Sequence, residues 1–329
     1  MLKLARFIAV GILVAGVSVL ASAQDEKKVT VSANLVSVNV SVTDSRGSYV
    51  QGLGAEQFEV FDDGVRQRVS HFSAGDAPFS IGIVYDMHPT TRERAAAVLD
   101  ALKRFASTLC SDDDLFLLAF NERASAAVDF IPTAEQIGEH LAYVPPREPN
   151  SLYDAVYLAA EKLRSRPGAK KALLVISDGV DHNSRHGYAE LRRRVGEFDV
   201  QLYGIAVNGQ DSVTGVGERR WTYEDITHET GRRTLSEGAD AAFDRAALDE
   251  IVRASGGASY TPQTESEREL FGICARVALE MRRQYTIGFY PTGASAKAGW
   301  HKVRVRVSPP AGEGRLHLSY REGYRPPKS

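Results

Sequence analysis

Ser80–Thr90 reads Ser-Ile-Gly-Ile-Val-Tyr-Asp-Met-His-Pro-Thr, and the predicted architecture follows from this segment. Its first half is short, almost wholly apolar and rich in β-branched residues, which is typical of a buried strand. Its second half is polar and begins with Asp86, at the point where the strand should end. Open α/β sheets bind ligands beyond the carboxyl ends of their strands. We therefore expect Asp86 to lie at a binding edge.

Two further segments lead to the same edge. Ala172–Ile176 is a second apolar run, and it is followed at once by Ser177-Asp178-Gly179. Between the two runs, Asn150–Ala155 is a polar loop that opens a helical pattern. Three loops that carry hard oxygen ligands at one sheet edge can converge on a divalent cation such as Mg²⁺.

These loops resemble the metal-ion-dependent adhesion site of the von Willebrand factor type A (VWA) family. The resemblance is closest to the secreted bacterial "VWFA-related" proteins, in which this domain sits among β-strands. The family takes D-x-S-x-S from the first loop, a Thr from the second and an Asp from the third. Asp86 and Asp178 match, whereas His88 stands at the first Ser, Thr90 at the second Ser and Asn150 at the Thr. The hydroxyl set is therefore incomplete.

The resemblance covers roughly Phe79–Pro291, and its best-matched pieces are Leu152–Ala155 and Val175–Gly179. It implies a protein ligand whose acidic side chain completes the coordination shell of a bound Mg²⁺ or Mn²⁺. The metal ligands that it implies are Asp86, His88, Thr90, Asn150 and Asp178, with Ser151 as a further candidate. It also implies that Asp154, in the first turn of a helix, is largely buried and hydrogen-bonded rather than a direct ligand.

His88 leaves three interpretations open. An imidazole ligand shifts the metal preference from Mg²⁺ toward Mn²⁺, Zn²⁺ or Ni²⁺. Alternatively, an imidazolium between Asp86 and Asp178 neutralises both carboxylates without an ion, because opposite charges favour the charged form. In the third interpretation His88 has no special role.

The remainder of residues 78–283 alternates between predicted strands and helices. Alternation of this kind predicts a doubly wound, mainly parallel α/β sheet with helices on both faces. Its predicted strands are Leu115–Phe120, Ala126–Phe130 and Val200–Val207, and its helices are Arg92–Leu109, Ala134–Leu141, Ser151–Arg164, Tyr188–Phe198, Ala246–Ala254 and Glu265–Arg283. Residues 208–244 form a long polar loop, whose Trp221 and Tyr223 either anchor a partner or make a small satellite core.

Period-two alternation marks both flanks of this domain. The predicted strands are Val36–Val42, Phe58–Phe61, Arg66–Phe72, Gln284–Tyr290, His301–Val307 and Leu316–Tyr320, and a bulge or break is expected at Leu35–Val36. Neither flank has enough strands for a core of its own. We therefore expect residues 29–75 and 284–325 to form one small β-sandwich into which the α/β domain is inserted. Asp62 and Asp63 precede Gly64 and are interpreted as hairpin-turn residues rather than metal ligands.

The amino terminus predicts export. Lys3 and Arg6 precede the apolar run Phe7–Leu20, and Ala21-Ser22-Ala23 supplies a cleavage position, so residues 1–23 are expected to be a secretory signal peptide. An uncleaved anchor is the alternative, and no later stretch is apolar enough to span a membrane. The mature protein is thus expected to be secreted or periplasmic. Export permits a disulfide between Cys110 and Cys274, and two free thiols are the alternative.

Composition and motifs favour binding over catalysis. The 329 residues are 43% hydrophobic and carry a net charge of −2, which is ordinary globular composition and gives no reason to expect a nucleic-acid partner. No nucleophile motif or phosphate loop is present, and His182 and His186 are interpreted as exposed loop residues rather than a metal pair. The leading hypothesis is a protein-binding module; the alternative is a structural scaffold with an ion-free site, and a metal-dependent hydrolase is least favoured.

Overall fold

The computed structural model describes residues 35–75, 77–87, 95–121, 124–128, 137, 150–166, 168, 170–207, 237–264, 266–292, 299–310 and 314–326. Its strands are β1 Val36–Thr43, β2 Phe58–Asp62, β3 Val65–Gln67, β4 Val69–Ser73, β5 Phe79–Asp86, β6 Asp114–Phe120, β7 Ala124–Val128, β8 Lys170–Ser177, β9 Gln201–Ala206, β10 Ser259–Tyr260, β11 Tyr285–Phe289, β12 His301–Val307, β13 His317–Ser319 and β14 Gly323–Tyr324. Its α-helices are α1 Ala95–Ala106, α2 Leu152–Arg164, α3 Tyr188–Phe198, α4 Glu237–Ala254 and α5 Glu267–Arg283.

The central sheet has six strands in the order β10-β9-β8-β5-β6-β7. Five of them run parallel, and β7 pairs antiparallel with β6 at one edge. Helices α1 and α5 cover one face of the sheet, and α2, α3 and α4 cover the other. The predicted fold class, a doubly wound α/β sheet, is confirmed.

Strand β5 is buried at every position because it lies in the middle of the sheet and is covered on both sides. Ile81, Ile83 and Tyr85 pack into the core beneath α1 and α5, and Val84 packs into the core beneath α2. This two-sided burial explains why β5 is a continuous apolar run rather than an alternating one. Its polar side chains lie toward its ends, with Ser80 near the amino end and Asp86 at the carboxyl end.

Two four-stranded antiparallel sheets combine strands from both ends of the chain. Their orders are β13-β1-β11-β4 and β14-β12-β2-β3, so strands that precede the α/β part lie beside strands that follow it. The buried core that the two sheets share consists of Val36, Val38, Val40, Val42, Leu53, Phe58, Val60, Tyr285, Ile287, Phe289, Val303, Val305 and Tyr324. A sandwich built from amino- and carboxyl-terminal strands is therefore present.

Two predicted segments are wrong in detail. Arg66–Phe72 is not one strand, because β3 pairs with β2 in one sheet while β4 pairs with β11 in the other, and the chain changes sheets at Arg68. The loop predicted over residues 208–244 is too long, because α4 already begins at Glu237. The rest of that loop, with Trp221 and Tyr223, lies outside the described residues, as do the signal peptide, residues 29–34 and all of the helix predicted at 134–141 except Ile137.

The cysteines are both free: Cys110 is exposed, and Cys274 is buried within α5. Burial raises the pKa of the Cys274 thiol to about 12, so it remains protonated at neutral pH. Among the helices that the structure describes, none is both long enough and apolar enough to cross a membrane.

Candidate functional site

Described residues from each of the three predicted loops lie at the carboxyl edge of the parallel sheet. Asp86 ends β5, Asn150 and Ser151 precede α2, and Asp178 follows β8 directly. All four residues are buried, with Asp86 and Asn150 0% exposed. His88 and Thr90, the other two candidate ligands, lie outside the described residues.

Asp86 is the centre of this site. Its Oδ2 accepts a hydrogen bond from Asn150 Nδ2 at 3.0 Å and another from Ser177 Oγ at 2.7 Å. A carboxylate that is removed from water requires such donors, because an isolated buried charge is very costly. The Ser177 hydroxyl in turn accepts the N–H of Gly179 at 3.0 Å, which fixes the start of the third loop. Ser177 was not predicted as a site residue, although the sequence places it directly before Asp178.

The Asn150 side chain extends the network to His182. Asn150 Oδ1 lies 2.8 Å from His182 Nδ1, and the backbone oxygen of Asn150 accepts the N–H groups of His182 and Asn183. His182 is exposed, as predicted, but one of its ring nitrogens is held against the second loop. The amide of Asn150 therefore directs its NH₂ group at Asp86 and its oxygen at His182. Asp178 Oδ1 accepts the N–H of Val180 at 3.0 Å, which orients that carboxylate within its own loop.

Asp154 fastens the third loop, which comprises residues 178–187 between β8 and α3, to the start of α2. Its side chain is 17% exposed, and its Oδ1 lies 2.6 Å from His186 Nδ1 and accepts the His186 backbone N–H at 3.0 Å. Although burial opposes ionisation, these bonds and the N–H of Arg185 hold the pKa of the Asp154 carboxyl below its usual value. The prediction that Asp154 is largely buried and hydrogen-bonded is confirmed.

His186 was predicted to be exposed, and this is wrong. Its side chain is 27% exposed, and its ring stacks on Tyr157 with centroids 4.1 Å apart and an angle of 10° between the planes. The sequence did not reveal this, because Tyr157 and His186 are far apart in the sequence and only the folded chain brings the loop against the face of α2 that carries Asp154 and Tyr157. His182 and His186 thus contact different partners, Asn150 and Asp154.

The third loop also caps the amino terminus of α2. Asp181 Oδ1 accepts the Tyr153 N–H at 3.0 Å, and Ser184 Oγ accepts the Asp154 N–H at 3.0 Å. These N–H groups have no partner within the helix, because the first turn lacks preceding carbonyls. The second and third loops are consequently locked together, and the orientation of Asn150 relative to Asp178 is fixed by the fold.

The chemistry of the loop residues fits a hard cation. Asp86 and Asp178 supply carboxylate oxygens, and Ser151 and Ser177 supply hydroxyls, which is the donor type that Mg²⁺ and Mn²⁺ accept. Asn150 is the residue that departs from this set, because its NH₂ group rather than its oxygen is directed at Asp86.

No protein-family model and no curated protein sequence matches this chain. Among solved structures, an aerotolerance-related membrane protein from Bacteroides fragilis NCTC 9343 is 14% identical, with 62% of this chain and 98% of that chain covered and a TM-score of 0.42. The pilus adhesin SpaC from Lactobacillus rhamnosus GG is 10% identical over 86% of this chain and 49% of that chain, with a TM-score of 0.45. The SpRpn10 VWA domain is 10% identical, with 59% of this chain and 94% of that chain covered and a TM-score of 0.35. At these scores the solved structures are likenesses of fold only.

Proposed function

We propose that this chain, whose α/β part is von Willebrand factor A-like, is an exported binding module that engages a protein partner through its loop face. The observation that carries the proposal is the network in which Asp86, Asn150 and Ser177 are bonded at the carboxyl edge of the parallel sheet. Ligands bind at this edge in open α/β sheets. These polar groups hold one another in place, which suits a rigid recognition surface better than a reacting centre.

In the metal-dependent form of the proposal, the cation is held by Asp86, Asp178 and Ser151, together with His88 and Thr90 from the first loop. The bound ion would supply a coordination position for an acidic side chain of the partner. The protein itself contributes the arrangement of the loops, which Asp154 and Asp181 fasten to α2. Partner affinity would then depend on the ion.

A second candidate function is an ion-free scaffold, and a specific observation favours it. Asp86 Oδ2 already accepts two hydrogen bonds from neutral donors, Asn150 Nδ2 and Ser177 Oγ. Hydrogen bonds to the charged form stabilise a buried carboxylate without any cation. The face would then bind its partner by shape and hydrogen bonding alone.

The Asn150→Thr variant separates these two functions, because it restores the family's hydroxyl and removes the amide. We expect the wild-type mature protein to melt at a higher temperature in Mg²⁺ or Mn²⁺ than in EDTA. A free metal concentration of 100 times Kd stabilises the folded protein by about 2.7 kcal/mol. Asn150→Thr should enlarge this shift, and Asp178→Asn should remove it.

An exposed aspartate in α1 provides the matched control, since Asp100→Asn makes the same chemical change away from the loops. It should leave the metal response intact. Under the ion-free function, millimolar metal shifts no melting curve, and Asn150→Thr destabilises the chelated protein by about 1–3 kcal/mol, because Asp86 loses a buried donor. A wild-type protein that is insensitive to both ions would overturn the metal-dependent form.

A further inference from the structure

We propose that Asp62, Asp63 and His301 form a second cation site, located in the β-sandwich, that binds a transition-metal ion of the Zn²⁺ type. Asp62 ends β2, Asp63 begins the turn after it, and His301 begins β12, which is the neighbour of β2 in the sheet. One ligand atom from each residue lies within 4.8 Å of the other two. Carboxylate oxygen and imidazole nitrogen are a donor set that Zn²⁺ accepts.

Two of the three spacings between the donor atoms are close to those of a coordination shell. His301 Nδ1 lies 2.9 Å from Asp63 Oδ2 and 3.8 Å from Asp62 Oδ1. Ligands of a tetrahedral Zn²⁺ with bonds of about 2.0–2.2 Å are roughly 3.3–3.6 Å apart, so shifts of about half an ångström would bring these two spacings to that range. The donor atoms of all three residues lie within 4.8 Å of one another.

Each carboxylate is already oriented by a donor on its other oxygen. The Tyr324 hydroxyl donates to Asp62 Oδ2 at 2.7 Å, and the Lys302 backbone N–H donates to Asp63 Oδ1 at 2.8 Å. The His301 ring stacks on Tyr324 with centroids 5.3 Å apart. Outer hydrogen bonds of this kind hold metal ligands in position and are part of a working metal site. The remaining oxygens, Asp62 Oδ1 and Asp63 Oδ2, both face the imidazole.

Charge favours a cation at this point. The Asp62 side chain is 0% exposed and that of His301 is 6% exposed, so two carboxylates adjoin one buried ring. His301 Nδ1 lies within hydrogen-bond distance of Asp63 Oδ2, whereas 3.8 Å is too long for a hydrogen bond between the same nitrogen and Asp62 Oδ1. A divalent ion placed between the three groups would interact with both carboxylates and with the imidazole.

The site also has an entrance and a fixed backbone. The Asp63 side chain is 47% exposed, which gives an ion access and leaves room for a water molecule as a further ligand. Asp63 and Gly64 have φ angles of +47° and +84°, as a two-residue hairpin turn with positive φ at both positions requires. A bound ion would connect residues 62 and 63 to residue 301 and so fasten the strands before the inserted domain to those after it.

Calorimetric titration of the tag-free mature protein with Zn²⁺, after chelator treatment, tests the site. We expect saturable binding and a melting temperature that rises with Zn²⁺. Asp63→Asn should weaken Zn²⁺ binding at least tenfold with little change in the metal-free melting temperature, because Asn tolerates positive φ and retains an oxygen for the Lys302 N–H. His301→Gln is the second variant, and it should weaken binding as strongly.

The controls distinguish this site from the loop face. Asp100→Asn, which changes an exposed carboxylate in α1, should leave Zn²⁺ affinity unchanged, and Asp63→Asn should leave any response to Mg²⁺ unchanged. The chain has eight histidines, so binding at another place is a real alternative. No binding at millimolar Zn²⁺, or binding that survives both Asp63→Asn and His301→Gln, would overturn the proposal.

Discussion

Asp154 shows how one carboxylate can set the geometry of a whole loop. It accepts hydrogen bonds from the backbone N–H groups of Arg185 and His186 and contacts the His186 imidazole. Because Asp154 lies in the first turn of α2, its charge also interacts favourably with the helix dipole. Loss of this side chain should therefore loosen the third loop without disturbing the sheet beneath it.

We predict that Asp154→Ala lowers the free energy of unfolding by about 1–3 kcal/mol at pH 7, the usual cost of losing charge-assisted hydrogen bonds. Because the pKa of Asp154 is lowered by folding, its contribution is present above the unfolded-state value of about 3.9 and is lost as the pH falls through the folded-state value. The difference between variant and wild type should therefore shrink from pH 7 to pH 3. Urea denaturation at both pH values measures it.

The exposed Asp100 again supplies the comparison, and Asp100→Ala should change stability by less than about 0.5 kcal/mol at either pH. A difference between Asp154→Ala and wild type that stays constant down to pH 3 would show that the charge of Asp154 is not what stabilises the loop.

For individual residues, the sequence predicted only those relations that depend on neighbouring positions in the chain. Asp86 and Asp178 were predicted to lie at the sheet edge because each follows directly on an apolar run, and the position of the acid relative to that run is a short-range property. His301 was not connected with Asp62 and Asp63, because 238 residues separate it from Asp63 and only the pairing of β2 with β12 brings them together. The turn interpretation of Asp63 and Gly64 was nevertheless confirmed, since both have positive φ.

Helix α3 makes a close contact with the sandwich at a glycine. A Cβ atom at Gly196 would lie 2.5 Å from Trp300 Cζ3, and one at Gly323 would lie 2.6 Å from Trp300 Cζ2. The indole ring is thus held between two backbones, one from α3 and one from β14. The glycine in α3 is required by this approach, although glycine is otherwise unfavourable in a helix.

We predict that Gly196→Ala destabilises the protein by about 1–3 kcal/mol, the usual cost of overpacking. Helix propensity alone predicts the opposite sign, a gain of about 1 kcal/mol. In a Trp300→Ala background the clash is absent, so the same Gly196→Ala change should become stabilising. A double-mutant cycle by urea denaturation gives both signs. Equal effects in the two backgrounds would show that Trp300 moves away freely.

Elements with strong periodicity were predicted well, and the errors have identifiable causes. The bounds of α3 and β12 agree with the predicted ones, because each has one apolar face and one polar face. The single strand predicted over 66–72 failed because a change of sheet at Arg68 leaves the alternating pattern almost intact. The first turns of α4 were missed because residues 237–244 include glycine, aspartate and alanines without an apolar stripe.

For the whole molecule, the ends of the α/β part lie side by side. Strand β4 before it and strand β11 after it are antiparallel neighbours, with Ser73 opposite Thr286. Among the described residues, the buried members of the sandwich core come from 36–60 and 285–324, with Val69 and Phe72 packed against them, and those of the two α/β cores come from 79–281. This separation of cores indicates that the α/β part occupies the position of a hairpin loop within the sandwich.

The two parts nevertheless share a polar contact. Glu280 of α5 is 7% exposed and accepts a hydrogen bond from Ser41 Oγ of β1 at 2.7 Å. Burial raises the pKa of Glu280, because the charged form is disfavoured away from water. Removing the inserted domain would expose Ser41 to water, which replaces the lost hydrogen bond at modest cost. Other polar contacts between the parts include the ion pair of Arg321 with Asp199 and the hydrogen bond from Ser319 Oγ to the Gly256 oxygen, and neither Arg321 nor Ser319 belongs to the apolar sandwich core.

We predict that a chain in which residues 75–284 are replaced by Asn-Gly folds as an isolated sandwich. Ala74 and Tyr285 would then flank a two-residue hairpin turn, for which Asn-Gly is the favoured sequence. Circular dichroism should show β structure, and urea unfolding should be cooperative but weaker than in the full chain, since small domains bury less of their surface. The variant Ile287→Asp, which places a charge in the sandwich core, should abolish this folding. If the shortened chain gives no cooperative transition, or is indifferent to Ile287→Asp, the sandwich requires the inserted domain and the two parts form one folding unit.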